Sequence, residues 1–203
     1  GTITVGAEEP NIMEVELLNT TFADGTTKKT ISSTSEMLNV SMQTGDVSMI
    51  IYNKSSLRTL LNLKNVEGGM TELSGTKLQE MNFSRDVAID FSTAAGGSFP
   101  YVKSVIAFGG SSAQGDVSEL IKALNPDQLT LFLFLQNATN LQAFDISLFG
   151  AFTKLIELNV SDAKTSGTVE SLVAAQRANG RTTCDGIKVG YQLGTGVTYN
   201  GAA

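Results

Sequence analysis

The most regular pattern in the chain is a recurring spacing of apolar positions. In the segment TKLIELNVSDAKTSGTVESL, apolar side chains stand at Leu155, Leu158 and Val160, and after a Ser-Gly pair at Val169 and Leu172. The L-x-x-L-x-L half predicts a short strand whose alternate side chains point into a core, and the V-x-x-L half predicts a short return helix or turn. A glycine between the two halves permits the backbone reversal.

Other parts of the chain repeat this pattern. It recurs in LRTLLNLKNVEGGMTEL, LQEMNFSRDVAIDF, VKSVIAFGGSSAQGDVSEL and LTLFLFLQNATNLQAFDISLFGAF, with a weaker sixth copy in MLNVSMQTGDVSMI. The first apolar positions of the five clear copies are 57, 78, 102, 129 and 155, so the steps are 21, 24, 27 and 26 residues. Such a period indicates stacked repeats, because neither half of a repeat can bury its apolar face alone.

The repeats resemble those of leucine-rich repeat proteins. TSGTVESL, AQGDVSEL and TGDVSMI are similar to the S-G-x-[IV]-x-x-L segment of the plant-type subclass, over about residues 35–180. The short, irregular copies, followed by RANGRTTCDGIKVGYQLGTGVTYNG, look most like leucine-rich repeat proteins of gut Bacteroidetes and of the phages that infect them. The resemblance implies an α/β repeat solenoid, wound as a right-handed coil.

One feature of the family is largely missing. Leucine-rich repeats normally carry an asparagine after the strand, which bonds neighbouring turns of the coil. Asp86, Gly110, Asn137 and Ala163 occupy that place in this chain. Only Asn137 fits, so we expect an incomplete ladder of bonds and an irregular coil.

The two ends are predicted to cap the repeats. Residues 1–34 alternate as strands do and contain an Asp-Gly turn in ADGTT, which predicts an N-terminal β cap. Residues 35–180 form the array of about six repeats, and its last part, SLVAAQRANG, predicts the longest helix, ended by Gly180. In residues 181–203, IKVGYQL and VTYN predict a C-terminal β-hairpin cap that protects the last open edge.

Composition narrows the classes of function. The chain has 203 residues, of which 41% are hydrophobic and 17% charged, so an ordered core is expected. No apolar run approaches the roughly 18 to 20 residues that a membrane span needs. The net charge is −6 and the 14 basic residues are spread thinly, which argues against a nucleic-acid partner.

The inventory of reactive side chains argues against catalysis. The chain has no histidine, the most frequent general base, and its single cysteine, Cys184, can form neither an intrachain disulfide nor a cysteine-based zinc site. SGTK, at residues 74–77, matches the S-x-x-K pattern of serine acyltransferases, but the other motifs of that class are missing. We therefore predict no enzyme activity, no catalytic residue, no metal site and no cofactor.

The predicted outward positions of the strands give the one functional clue. If Phe132 and Phe134 point inward, the residues between them line the exposed, concave face of the sheet. The predicted partner-binding residues on that face are apolar at the centre and polar at the sides: Ile106, Phe108, Leu131, Leu133 and Leu135, then Glu80, Asn82, Glu157 and Asn159. An apolar centre with a polar rim is typical of a protein interface. Two alternatives stay open: a register shifted by one residue, or a terminal segment that covers the patch.

These observations favour a non-catalytic recognition or adhesion module that binds another protein through the concave face. The expected location is extracellular or the cell surface of a bacterium, or else a phage virion. The alternative is a structural subunit of a phage virion or surface filament, in which copies of the chain pack against one another. Because the chain begins at Gly1 rather than Met, we expect a processed or trimmed product that has lost any signal peptide.

Overall fold

The computed structural model of the chain describes its central and C-terminal parts most fully. The described residues are 14–17, 29–30, 38–42, 45–46, 50–51, 57–63, 66–75, 77–83, 88–108, 113–135, 138–183 and 193–201. Side chains are described from Met70 onward within these ranges, except at Glu72 and Ala88.

The described residues contain fourteen short strands and two α-helices. The strands are β1 (Glu14–Leu17), β2 (Lys29–Thr30), β3 (Leu38–Met42), β4 (Gly45–Asp46), β5 (Ile50–Ile51), β6 (Leu57–Leu63), β7 (Val66–Gly69), β8 (Glu80–Phe83), β9 (Ala88–Asp90), β10 (Ser104–Phe108), β11 (Leu131–Leu135), β12 (Phe144–Asp145), β13 (Glu157–Asn159) and β14 (Thr165–Ser166). The helices are α1 (Val117–Ala123) and α2 (Val169–Ala178). Shorter 3₁₀ helices cover Thr71–Leu73, Phe91–Ala94 and Ile146–Ala151.

Seven strands form one fully parallel sheet that follows the order of the chain. The order is β1-β3-β6-β8-β10-β11-β13, and each neighbouring pair is parallel. Parallel neighbours require a crossover that carries the chain back to the starting side of the sheet. We define a unit as one strand of this sheet together with the crossover that follows it.

A second line of parallel pairing joins the crossovers. It consists of the short sheets β4-β7-β9 and β12-β14. Isolated bridges continue it at Asp90 with Gln114, at Gly115 with Leu141 and at Thr168 with Thr198. The units of β8, β10 and β11 are therefore each bonded to the next unit both through the main sheet and through the crossovers.

Four consecutive units bury the same three strand positions. Each buried position is at most 1% exposed, and together they are Leu78, Met81 and Phe83; Val102, Val105 and Ala107; Leu129, Phe132 and Phe134; Leu155, Leu158 and Val160. These are the L-x-x-L-x-L positions of the sequence. Phe132 and Phe134 point inward, so the alternative register, shifted by one residue, does not hold.

Phenylalanine rings form a continuous chain of contacts through this core. The ring pairs and their centroid distances are Phe83–Phe91 at 5.8 Å, Phe91–Phe134 at 5.3 Å, Phe132–Phe134 at 6.0 Å, Phe132–Phe149 at 4.9 Å and Phe149–Phe152 at 5.7 Å. Phe91 and Phe134 belong to units on either side of the β10 unit. The small side chain of Ala107 in β10 is consistent with their close approach.

An aspartate begins the return segment of three consecutive units. The side-chain oxygens of Asp90, Asp116 and Asp145 accept hydrogen bonds from the backbone N–H groups of Ser92, Ser118 and Ser147, at 3.0, 2.9 and 2.8 Å. These bonds satisfy N–H groups that a helix start leaves without an intrahelical partner. The signal is visible in the sequence as D-F-S, D-V-S and D-I-S. Thr168 caps α2 through its hydroxyl oxygen, which accepts from the N–H of Ser171, three residues on, at 3.1 Å.

Two glycines fit closely against the caps of the preceding units. Gly115 has a φ of +89° and Gly167 a φ of +94°, values that favour glycine. A Cβ on Gly115 would lie 2.6 Å from Ser92 Oγ, and a Cβ on Gly167 would lie 2.5 Å from Asp145 Oδ1. The predicted glycine at the reversal between the two halves is confirmed in these units, and it also serves the contact between units.

A buried polar network fixes the end of α2, the longest helix among the described residues. Gln176 is fully buried, and its Nε2 donates to the carbonyls of Phe149 at 2.6 Å and Phe152 at 3.1 Å. Its Oε1 accepts from Arg181, which also donates to the carbonyl of Leu155 at 2.8 Å. The helix ends at Ala178 and Gly180 follows with a φ of +88°, as the sequence predicts.

The predicted cap segments contribute in part to the same framework. β1, within residues 1–34, pairs with β3 and is the first strand of the seven-stranded sheet, whereas β2 pairs with β5 in another sheet. The Asp-Gly turn between β1 and β2 lies outside the described residues. In residues 181–203, Thr198 pairs with Thr168, but most of the first strand of the predicted hairpin lies outside the described residues. The cap assignments therefore stay predictions.

The asparagine position of the family can be located only in part. Asp86, Gly110 and Asn137 lie outside the described residues. Ala163, the one of the four that is described, is 1% exposed, so a small apolar side chain occupies this position in its unit.

The fit of Gly115 leads to a prediction about stability. Gly115→Ala is expected to lower the free energy of unfolding by roughly 2 to 4 kcal/mol, because the left-handed φ costs about 1 to 2 kcal/mol and the clash with Ser92 adds to it. Gly75→Ala is the matched control, since its φ is +74° and nothing lies within 4 Å of the added Cβ. Urea unfolding of both variants measures the difference. Equal losses would contradict the proposed contact between units.

Candidate functional site

The outward side chains of four adjacent strands are aligned in rows across the sheet. The first row contains Glu80, Ser104, Leu131 and Glu157, the second contains Asn82, Ile106, Leu133 and Asn159, and the third contains Phe108 and Leu135. All nine residues predicted from the sequence to bind a partner lie in these rows. We refer to this surface as the outer face; its role in binding stays a prediction.

The centre of the outer face is apolar. Leu131, Leu133 and Leu135 stand side by side with residues of β10, and Ile106 pairs with Leu133 in the second row. Ile106 and the three leucines are half-buried, and Phe108 is 41% exposed. Aliphatic and aromatic side chains thus form a strip along β10 and β11 that is two strands wide in the second and third rows and consists of Leu131 alone in the first row, where Ser104 stands on β10.

Polar side chains flank this strip on both sides. Glu80 and Asn82 stand on β8, and Glu157 and Asn159 occupy the same two rows on β13. Glu157 is exposed and the other three are half-buried. Asn159 Oδ1 accepts a hydrogen bond from the N–H of Ser161 at 3.2 Å, which fixes the amide at the end of its strand.

The two strands that carry the strip, β10 and β11, are hydrogen-bonded to a neighbouring strand on both edges. β10 lies between β8 and β11, and β11 lies between β10 and β13. Their N–H and C=O groups are directed within the sheet, toward the neighbouring strands. Any molecule bound to the outer face must therefore contact side chains, because it cannot extend the sheet at this place.

Two exposed apolar residues near the sheet were not predicted from the sequence. Ile156 precedes β13 and is 73% exposed, and Tyr101 precedes β10 and is 48% exposed. Thr130 and Lys103 occupy the equivalent position in the two preceding units. The N–H of Ile156 donates to the carbonyl of Thr130, and the N–H of Thr130 donates to the carbonyl of Lys103. A comparison of that single repeat position along the sequence would have shown Ile156 as the apolar exception.

Reactive side chains form no cluster in the part of the chain that the structure describes. No group of three or more His, Cys, Asp or Glu residues there could hold a metal ion. Ser74 of the S-x-x-K segment accepts a hydrogen bond from the N–H of Ser98 at 2.9 Å, a contact between neighbouring units. Cys184 lies outside the described residues. The absence of enzyme activity and of a cofactor stays a prediction.

Comparison with known proteins adds no relatives. No family model, no curated protein and no solved structure matches the chain. Among the described residues, no helix is both long and apolar enough to cross a membrane. The interpretation of the outer face therefore depends on its own geometry.

The alternation along β11 leads to a second prediction. We expect Leu131→Glu combined with Leu133→Glu to change the free energy of unfolding by no more than about 2 kcal/mol, because both side chains are half-buried on the outer face. The matched inward change, Phe132→Ala, is expected to cost about 3 to 5 kcal/mol. Urea unfolding of the two variants compares them. A larger loss in the double glutamate variant would show that the leucines are packed against another part of the chain.

Proposed function

We propose that the chain is a leucine-rich-repeat-type solenoid that serves as a non-catalytic protein-recognition or adhesion module. It binds another protein through the outer face, outside the cell or at the surface of a bacterium. The fold assignment is supported by parallel strands in chain order, by the repeated burial of the same three positions, and by repeat steps of 21 to 27 residues.

The observation that carries the functional proposal is the distribution of side chains over the rows. The apolar residues of β10 and β11 lie between a Glu and an Asn on one side and the same pair of residue types on the other. A partner that covered the strip would remove apolar area from water, at roughly 25 cal/mol per Å². The polar rim would remain hydrated or bond to polar groups of the partner, which is the usual organisation of protein interfaces.

A structural subunit of a phage virion or surface filament is the second candidate. Ile156 favours it, because this apolar side chain is 73% exposed beside β13, the last strand of the sheet among the described residues. A neighbouring copy that packed against this end would cover it. Repeated contacts of this head-to-tail kind produce filaments when they do not close into rings.

The two candidates differ in solution behaviour, which gives the third prediction. Sedimentation of the purified chain over a range of concentrations is expected to show a monomer, because the recognition module binds a different protein. Concentration-dependent assembly that is abolished by Ile156→Glu would instead favour the structural subunit. Leu133→Glu is the control in that case, since it alters the outer face and leaves the end of the sheet unchanged.

Site-specific cross-linking tests the recognition module directly. A photoreactive phenylalanine analogue at position 133 is expected to cross-link one partner in extracts of the source cells or their surroundings, whereas the same analogue at Lys122 on α1 is not. The partner, once purified, is expected to bind the unmodified chain and to lose binding to the Leu131→Glu and Leu133→Glu double variant. Equal cross-linking from both positions, or unchanged binding to the double variant, would refute the proposal.

A further inference from the structure

We infer that the partner of the outer face is an amphipathic α-helix whose apolar stripe is flanked on both sides by lysine or arginine. This inference rests on the proposed function, since it specifies what the same surface binds. Three features of the outer face support it: the paired backbone, the spacing of the rows and the position of the carboxylates.

The paired backbone selects a helix over an extended segment. An extended peptide that adds to no sheet edge must leave its N–H and C=O groups to water, which prevents its backbone from lying flat on an apolar strip. β10 and β11 have no free edge, because each is bonded to strands on both sides. A helix satisfies its own backbone internally and can therefore cover the strip with side chains alone.

The spacing of the rows matches the spacing of residues on a helix. Successive rows are two residues apart along a strand, which is about 6.6 Å. Residues i and i+4 of a helix are separated by about 6.0 Å along its axis. A helix aligned with β10 and β11 would thus place side chains at i, i+4 and i+8 close to the rows of Leu131, Leu133 and Leu135.

The carboxylates of the first row lie where they would reach both sides of that helix. Glu80 and Glu157 are three strand spacings apart in the first row, which is about 14 Å. An α-helix with its side chains is about 10 to 12 Å wide, so a carboxylate would stand at each flank. Among the four positions of the first row, Glu80 and Glu157 are the charged residues; Lys103 is adjacent to Ser104, and Lys77 and Lys154 each lie three residues before one of the two glutamates.

Charge also argues against a second copy of this chain as the occupant. The chain carries a net charge of −6, and a copy that packed its own outer face against this one would bring a rim with the same two glutamates. A basic-flanked helix supplies the opposite charge at both sides of an apolar centre. Opposite charges at the rim of an interface mainly determine which partner is selected and how fast it associates.

Synthetic peptides test the inference with the full chain. The probe is a peptide of about 18 residues, long enough to be helical, with leucines at i, i+4 and i+8 and lysines on both sides of that stripe. Two further peptides carry glutamine or glutamate in place of every lysine. Fluorescence anisotropy, with circular dichroism to check helicity, is expected to show at least about tenfold tighter binding of the lysine peptide than of the glutamate peptide, and a smaller difference at high salt.

Protein variants separate the role of charge from that of the apolar strip. Glu80→Gln and Glu157→Gln are each expected to weaken binding of the lysine peptide about 2- to 5-fold. Glu119→Gln on α1 removes the same charge from the opposite side of the units, and no change is expected there. Leu133→Asn leaves the net charge unaltered and is expected to weaken all three peptides by more than about tenfold relative to the unmodified chain.

Failure of this inference can be distinguished from failure of the proposed function. Equal binding of the three peptides, together with unchanged affinity in the two glutamine variants, would overturn the basic-flanked partner. If Leu133→Asn still weakened binding in that case, the outer face would stand as a binding surface. Lack of binding by every peptide would overturn the helix, and the cross-linking experiment at position 133 would then decide the proposed function separately.

Discussion

Each unit of this fold buries its apolar side chains against the units beside it, and this dependence governs the rest of the structure. A four- or five-residue strand with a short crossover cannot enclose a core of its own. The contact between Phe91 and Phe134 shows how far the dependence extends, because the two rings meet across an intervening unit. Edge-to-face contacts of this kind add to the free energy gained from apolar burial alone.

The crossovers are stabilised by polar contacts that the core does not supply. Helices of seven and ten residues, such as α1 and α2, are too short to be stable in isolation. Asp116 satisfies the N–H of Ser118 at the start of α1, and Thr168 satisfies the N–H of Ser171 at the start of α2. Gln176 gives a second hydrogen bond to the carbonyls of Phe149 and Phe152, which also accept from the backbone N–H groups of Phe152 and Leu155. These bonds therefore help to fix where the helices of the crossovers begin and end, whereas burial of apolar side chains holds the crossovers against the sheet.

The sequence predicts the part of this arrangement that repeats. The inward direction of Phe132 and Phe134 follows from a period of two within a strand, and the adjacency of the units follows from a longer repeat of 21 to 27 residues. The place of β1 in the main sheet could not be predicted, because a strand's own residues do not specify which strand it pairs with. The aspartate caps are visible in the sequence as D-x-S, but the triplet alone does not show that its aspartate accepts a hydrogen bond from the serine N–H.

The candidate site was less predictable than the core for a physical reason. Buried positions are constrained by their neighbours, so a repeated pattern reveals them. Outward positions such as Leu133 and Ile156 have no such constraint within the chain, and only their departure from the surrounding polar residues distinguishes them. The rows themselves could be inferred once the register was known, but the chemistry of a partner requires the alignment of Glu80 with Glu157 across three strand spacings.

The separation of inward and outward positions on β11 has a consequence for how this chain can evolve. Phe132 and Phe134 are fully buried and contact each other and further phenylalanine rings, whereas Leu131, Leu133 and Leu135 are half-buried on the outer face. Substitutions at the outward positions can accumulate row by row without altering the core. One scaffold can then diversify into a set of surfaces with different specificities, and natural variants of this chain would be expected to differ most along those rows.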